Sequence, residues 1–301
     1  MCNVLRARAM RDAVKAMNSY VGSLATPFGS DTLIDREAPK ENKMFVTGLE
    51  NVNYVGREIL EVPVGLCNGT MKWVDIRKAP HIMVTGATGM GKSVWINSLL
   101  GTLIRNDPSQ VHIYLVDPLR VELSPFKKLP HVKGFATNVQ EAAELINKLT
   151  EESNQRYELF ERAGARTLEE YNETTGRKLP YIIAVLDEFA QLTGQKQSKV
   201  KEKKEAANSF EEDMVTLAET ARKSGIHLIA ATQNPTAQII NSRMKTNFPT
   251  KITFKLDATA AQLVLKIKEA ATLNKPGELE YRGPGAEAYR AQGLYVTINK
   301  G

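Results

Sequence analysis

Cysteine is nearly absent. Cys2 and Cys67 are the only two in 301 residues, too far apart to form a metal or redox pattern. Histidine is almost as sparse, with four residues, His81, His112, His131 and His227. They are scattered, and three begin or sit in apolar runs. A zinc centre needs clustered ligands, so these histidines read as core or strand-end residues. Long apolar runs are missing too. A bilayer-spanning helix needs about 18 or more such residues in succession, and none is expected here. Nor do residues 1–8 carry the apolar stretch of a secretory signal. The expected compartment is the cytoplasm.

What is present is ordinary for a folded soluble chain. The composition is 42% hydrophobic and 25% charged, which excludes disordered and fibrous classes. A net charge of +6 is compatible with a polyanionic partner but does not specify one.

Along the chain, residues 1–20 have the spacing of a polar, basic helix, and 21–44 are rich in Gly, Pro, Ser, Asp and Lys, like a connector. Short alternating runs across 44–74 suggest a small β meander. The expected division is an N-terminal helix and linker over 1–52, then a single large domain over 53–301, entered through a small β segment at 53–78. Beyond it the rhythm becomes strand, loop, long helix. Strands are expected at 81–85, 111–117, 181–186, 227–232, 251–256 and 293–298, with helices at 93–105, 139–162 and 211–223. Apolar strands alternating with helices indicate an α/β fold with a mostly parallel sheet covered on both faces. The Lys/Glu/Gln-rich stretch 194–205 reads as a mobile loop or frayed helix end.

The segment Gly86-Ala87-Thr88-Gly89-Met90-Gly91-Lys92-Ser93 matches G-x-x-x-x-G-K-[ST] in full, after an apolar strand and before a helix. Glycines let backbone N–H groups face phosphate oxygens, and the following helix N-terminus favours the anion. Lys92 suits the β and γ phosphates, and the Ser93 hydroxyl suits Mg²⁺. Such a loop binds a nucleoside triphosphate, for which ATP is the expected species. The apolar run 181–186 ends in Asp187 and Glu188, placing two acids at the carboxyl edge of the sheet, where open α/β folds bind ligands. Asp187 is the candidate metal residue, and Glu188 the candidate that orients and polarises the attacking water. Asp117, which with Pro118 closes another strand, reads equally as a strand end or as a functional acid.

With their flanks, these motifs resemble the FtsK/SpoIIIE family of DNA translocases within the wider FtsK–HerA group. The likeness is carried by segments 79–94, 116–123, 155–172, 180–192 with Asp-Glu-Phe-Ala, 217–235 and 244–254, in that order, and runs from about Asn53 onward. It implies a RecA-like P-loop ATPase domain, a hexameric ring around double-stranded DNA, and the cofactors ATP and Mg²⁺. It gives Arg222 the role of an arginine finger reaching the neighbouring subunit's nucleotide, and Gln233 that of a γ-phosphate sensor. The chain departs from the family in showing neither its membrane-spanning region nor a winged-helix module, and in a longer, lysine-rich segment after Glu188. The expectation is therefore a stand-alone ATP-dependent double-stranded DNA translocase of a plasmid, phage or other mobile element.

A translocase grips duplex phosphates without reading bases. Lys196, Lys199, Lys201, Lys203 and Lys204 are the DNA-contact candidates, against the plainer reading of a solvated surface; residues 241–245 are a second candidate. The rival functions are a secretion ATPase moving proteins, a P-loop kinase acting on a small molecule, and a nucleotide-gated assembly switch.

Overall fold

The computed structural model describes residues 44–300 apart from Asn51, Leu265, Ile267 and Ala286. The helix expected at 1–20 and most of the connector lie outside the described residues. In chain order the strands are β1 (Met44–Thr47), β2 (Glu61–Cys67), β3 (Thr70–Asp75), β4 (Ile82–Thr85), β5 (Val111–Val116), β6 (Val132–Ala136), β7 (Tyr181–Leu186), β8 (Ile226–Thr232), β9 (Thr250–Phe254), β10 (Glu278–Arg282), β11 (Tyr289–Gln292) and β12 (Thr297–Lys300). The α-helices are α1 (Lys92–Leu103), α2 (Val139–Ala163), α3 (Leu168–Thr175), α4 (Phe189–Thr193), α5 (Lys201–Thr220) and α6 (Ser242–Asn247).

One ten-stranded sheet has the order β3-β2-β11-β10-β9-β4-β8-β7-β5-β6. From β9 to β6 its strands are parallel, and the remaining pairs are antiparallel. Of the meander expected across 44–74, β2 and β3 form a hairpin that joins the sheet through β11. β1 pairs separately with β12.

The inner parallel strands β7 and β8 are almost wholly apolar because both their faces are covered. In β7, Ile182, Ala184 and Leu186 pack into a core with Ile146 and Leu149 of α2 and with Phe210 and Met214 of α5. Ile183 and Val185 face the other core, with Trp95, Ile96 and Leu99 of α1. Phe210 is fully buried, and truncating such a side chain to alanine costs about 3–5 kcal/mol. Asn138 caps α2 by accepting from the Glu141 N–H at 3.0 Å. Glu141 in turn accepts from the Thr137 N–H at 2.7 Å, a reciprocal arrangement that satisfies donors on both sides of the cap. Gly164, at φ 67°, closes the same helix in the left-handed conformation.

Besides elements that were not expected, β6, β10 and β11 among them, the structure departs from the sequence expectations at the lysine-rich stretch and at 293–298. The lysine-rich stretch is a 3-10 turn, Gly194–Gln197, then three non-helical residues and the start of α5 at Lys201. Lys, Glu and Ala are good helix formers, and burial of Ala207 and Phe210 holds the first half of that helix on the sheet. Of the strand expected at 293–298 only 297–298 are strand, in β12; the Gly293 N–H bonds instead to the Gly277 carbonyl at 2.8 Å. Among the described residues, no helix is long and apolar enough to cross a membrane.

Candidate nucleotide site

Between β4 and α1 the chain adopts backbone angles that only glycine takes without strain. Gly89 has φ 78° and Gly91 φ 114°. Gly86 is required for space: a Cβ there would stand 2.6 Å from the Cβ of Phe254 at the end of β9. The loop is braced from outside as well. The Ala87 N–H donates to the Lys255 carbonyl at 2.8 Å, and the Met90 carbonyl accepts from the Gly277 N–H at 2.8 Å. α1 then starts at Lys92 with no acid in its first turn, so its N-terminal partial positive charge is left for an anion.

The order β4-β8-β7 puts one strand between the loop-bearing strand and the one that ends in two acids. The Lys92 ammonium donates to Asp187 Oδ1 across that gap, with Lys92 3% and Asp187 1% exposed. Each is the other's counter-ion in a place where a lone charge would be costly. Glu188 is buried and sits at φ 45°, a conformation uncommon for a side chain of its kind. Its Oε1 accepts from the Thr232 hydroxyl at 2.8 Å and its Oε2 from the Gln233 N–H at 2.9 Å. The Gln233 side chain is engaged in turn, its Oε1 accepting from the Thr88 hydroxyl of the loop. Lys92, Ser93, Asp187, Glu188 and Gln233 thus lie on one edge of the sheet, at the ends of β4, β7 and β8.

Arg222 is not among them. It is exposed and precedes β8, whereas Gln233 follows it. Seven residues of strand correspond to about 20 Å, so Arg222 lies near the opposite edge from its own chain's loop.

The lysine candidates begin at the nucleotide edge, since α4 follows Asp187-Glu188 directly and α5 leads from there back toward the start of β8. Lys199, Lys203 and Lys204 are exposed. Lys196 pairs with Glu211, and Lys201 with Glu205 at 3.7 Å. In the second candidate segment, Arg243 pairs with Glu219 at 3.1 Å, at the far end of α5.

Ser93 and Asp187 offer one hydroxyl and one carboxylate. Mg²⁺ favours such hard oxygens, one or two from protein and the rest from phosphate and water. Among the described residues no group of three or more His, Cys, Asp or Glu could hold a metal.

Asp117 shapes a loop. Fully buried, it accepts from the Leu123 N–H at 3.0 Å through Oδ2. Sequence reasoning did not assign a role to Thr232, Phe254, Lys255 or Gly277. Thr232 was within reach as the last residue of an apolar strand beside Gln233, but the other three approach the loop from segments distant in sequence.

Comparison with known proteins gives a consistent picture. The FtsK/SpoIIIE family matches residues 53–237. The DNA translocase SftA of Bacillus subtilis is 36% identical over 233 residues, covering 74% of this chain and 23% of that protein. The DNA translocase FtsK of Streptococcus pneumoniae is 31% identical over 293 residues, covering 91% of this chain and 37% of its own length. The chain therefore matches only 23% and 37% of the length of these relatives. Among solved structures, the pCW3 conjugation coupling protein TcpA, in its monomer form with ATPγS, superposes with a TM-score of 0.72 at 29% identity, over 80% of this chain and 68% of that one.

Proposed function

The chain belongs to the FtsK/SpoIIIE family, and from that premise we propose that it is an ATP-hydrolysing motor that moves double-stranded DNA through a ring of identical subunits, a hexamer by resemblance. One observation carries the reading. Lys92, Asp187, Glu188 and Gln233 converge at one edge of the sheet, while Arg222 precedes the strand that Gln233 follows. Lys92 is this site's own cation, and Arg222, near the opposite edge, is left to serve the site of a second copy.

The chemistry follows from the contacts. The triphosphate takes the cradle at the N-terminus of α1, and Lys92 exchanges Asp187 for the β and γ oxygens. Ser93 and Asp187 would hold Mg²⁺, which would supply positive charge to offset that of the phosphates. Glu188 turns from Thr232 and the Gln233 N–H to accept a proton from the attacking water. Gln233 exchanges Thr88 for the γ-phosphate and reports its departure through β8. Arg222 of the next copy stabilises charge on the transferring phosphoryl, a contribution of about 10³–10⁵ in rate for such fingers.

DNA as the substrate is supported by the family and by the names of the relatives. The conjugation coupling protein among the structural neighbours favours a plasmid or another mobile element as the source. Grip is assigned to Lys196, Lys199, Lys201, Lys203 and Lys204, whose segment starts at the nucleotide edge and places cations where hydrolysis can move them. The test is the ATPase rate with duplex DNA, with a basic unfolded peptide, and with neither. Stimulation by duplex that weakens as salt rises is the expected result. Stimulation by peptide alone marks a protein-secretion ATPase, and slow turnover indifferent to both marks an assembly switch.

A further inference from the structure

Residues 220–225, between α5 and β8, carry Arg222, and three of their carbonyl oxygens are each taken by a different donor from 156–168. The Tyr157 hydroxyl donates to Thr220 O. The Leu168 N–H donates to Lys223 O at 3.0 Å. Arg156 Nη1 donates to Ser224 O at 2.8 Å. The Ser224 hydroxyl adds a contact to that of Ser153 at 2.9 Å, and Gly225 at φ 78° leaves no space for a side chain, since a Cβ would stand 2.3 Å from Leu168 Cδ2.

Arg156 is the unusual member. It is 2% exposed, and its charge is met by Glu152 Oε1 at 2.8 Å. A buried guanidinium is costly unless its donors are satisfied. Here Nη1 also reaches Pro180 O at 2.9 Å, so one planar group ties the residue before β7 to the residue two before β8. The opposite ends of those two strands carry Glu188 and Gln233. A lysine, with a single point charge and no fork, cannot reproduce the arrangement.

We propose that Arg156 and Tyr157 are positioning residues for Arg222: they fix the 220–225 loop against α2 and the sheet so that the finger is presented to the neighbouring copy in one geometry. The inference rests on the trans role of Arg222. An exposed arginine on an unpinned loop would sample many positions, and a misplacement of about 1 Å can cost 10²-fold in rate.

The experiment is steady-state hydrolysis by the full chain with duplex DNA. Tyr157→Phe and Arg156→Lys are measured alone and combined with Arg222→Ala. Each alone is expected to lower kcat roughly tenfold with KM for ATP little changed, the pattern of an interaction made only in the transition state. In the Arg222→Ala background neither should lower the rate further. Equal fold-losses in both backgrounds, or an unchanged kcat, overturn the positioning role while leaving the trans finger intact. Normal hydrolysis by Arg222→Ala alone overturns the trans role, and the positioning role with it. Should Arg156→Lys fail to fold, Tyr157→Phe decides alone, because it removes one hydroxyl from a half-buried ring.

Discussion

The carboxylate of Glu188 accepts the main-chain N–H of Gln233 at 2.9 Å, so the residue assigned to activate water is held by the residue assigned to sense the γ-phosphate. Gln233 is itself tied to Thr88 of the phosphate loop. Loop, sensor and base are therefore one connected unit. A γ-phosphate that draws the Gln233 amide away from Thr88 acts on the same residue whose backbone restrains Glu188.

Glu188→Gln should separate binding from turnover. The loop, Lys92 and Ser93 are untouched, so ATP affinity by nucleotide titration stays within about threefold, while kcat falls by about 10²-fold or more, the usual worth of a positioned base. A variant that turns over normally contradicts the role given to Glu188.

Lys92→Met should destabilise the protein as well as abolish nucleotide binding. Asp187 would remain buried without its counter-ion, a loss of about 3–5 kcal/mol when one member of a buried pair is removed. Combining it with Asp187→Asn removes the stranded charge and should recover more than half of that loss. Denaturant unfolding of the three variants checks both statements, and wild-type stability in Lys92→Met contradicts them.

Stability should decline below neutral pH. Burial pushes His81 and His227 down to about 3, with Arg222 nearby acting in the same direction. The unfolded chain takes up these protons near pH 6.5 and the folded chain does not. Stability is therefore intact above about 6.5 and falls by about 1.4 kcal/mol per pH unit for each histidine as pH drops below it. The carboxylates held below their ordinary values, Asp75, Glu141 and Glu278, titrate beneath this window. Unfolding free energies at pH 7 and 5.5 measure the slope, and a flat profile contradicts it.

The parallel half of the fold, apart from the edge strand β6, was legible because its physics is local. Tyr181–Leu186 is uniformly apolar because helices cover both faces, and the glycines of the phosphate loop are dictated by its own backbone angles. The antiparallel half was harder to read. β10, Glu-Leu-Glu-Tyr-Arg, is short and alternates with charge, and its place depends on pairing with β9 and β11. The helical start of α5 was hidden by lysine and glutamate, which look the same in a solvated loop as on a helix. The contacts that brace the phosphate loop, Phe254 beneath Gly86 and Gly277 against Met90, join residues more than 150 positions apart and have no sequence signature. Arg222 was legible through resemblance alone, because nothing near it in the sequence or in its own chain marks it as catalytic.

The measurement that bears most directly on a site completed by a neighbour is subunit mixing. Arg222→Ala chains keep an intact phosphate loop and Glu188, while Glu188→Gln chains keep an intact Arg222. In the presence of duplex DNA each alone should hydrolyse ATP slowly but measurably, Arg222→Ala about 10³-fold or more below the wild-type rate. Mixed before assembly, they should regain hydrolysis wherever an Arg222→Ala site meets a Glu188→Gln neighbour. Mixed rings that stay inactive, or Arg222→Ala chains that turn over at wild-type rate alone, contradict the account.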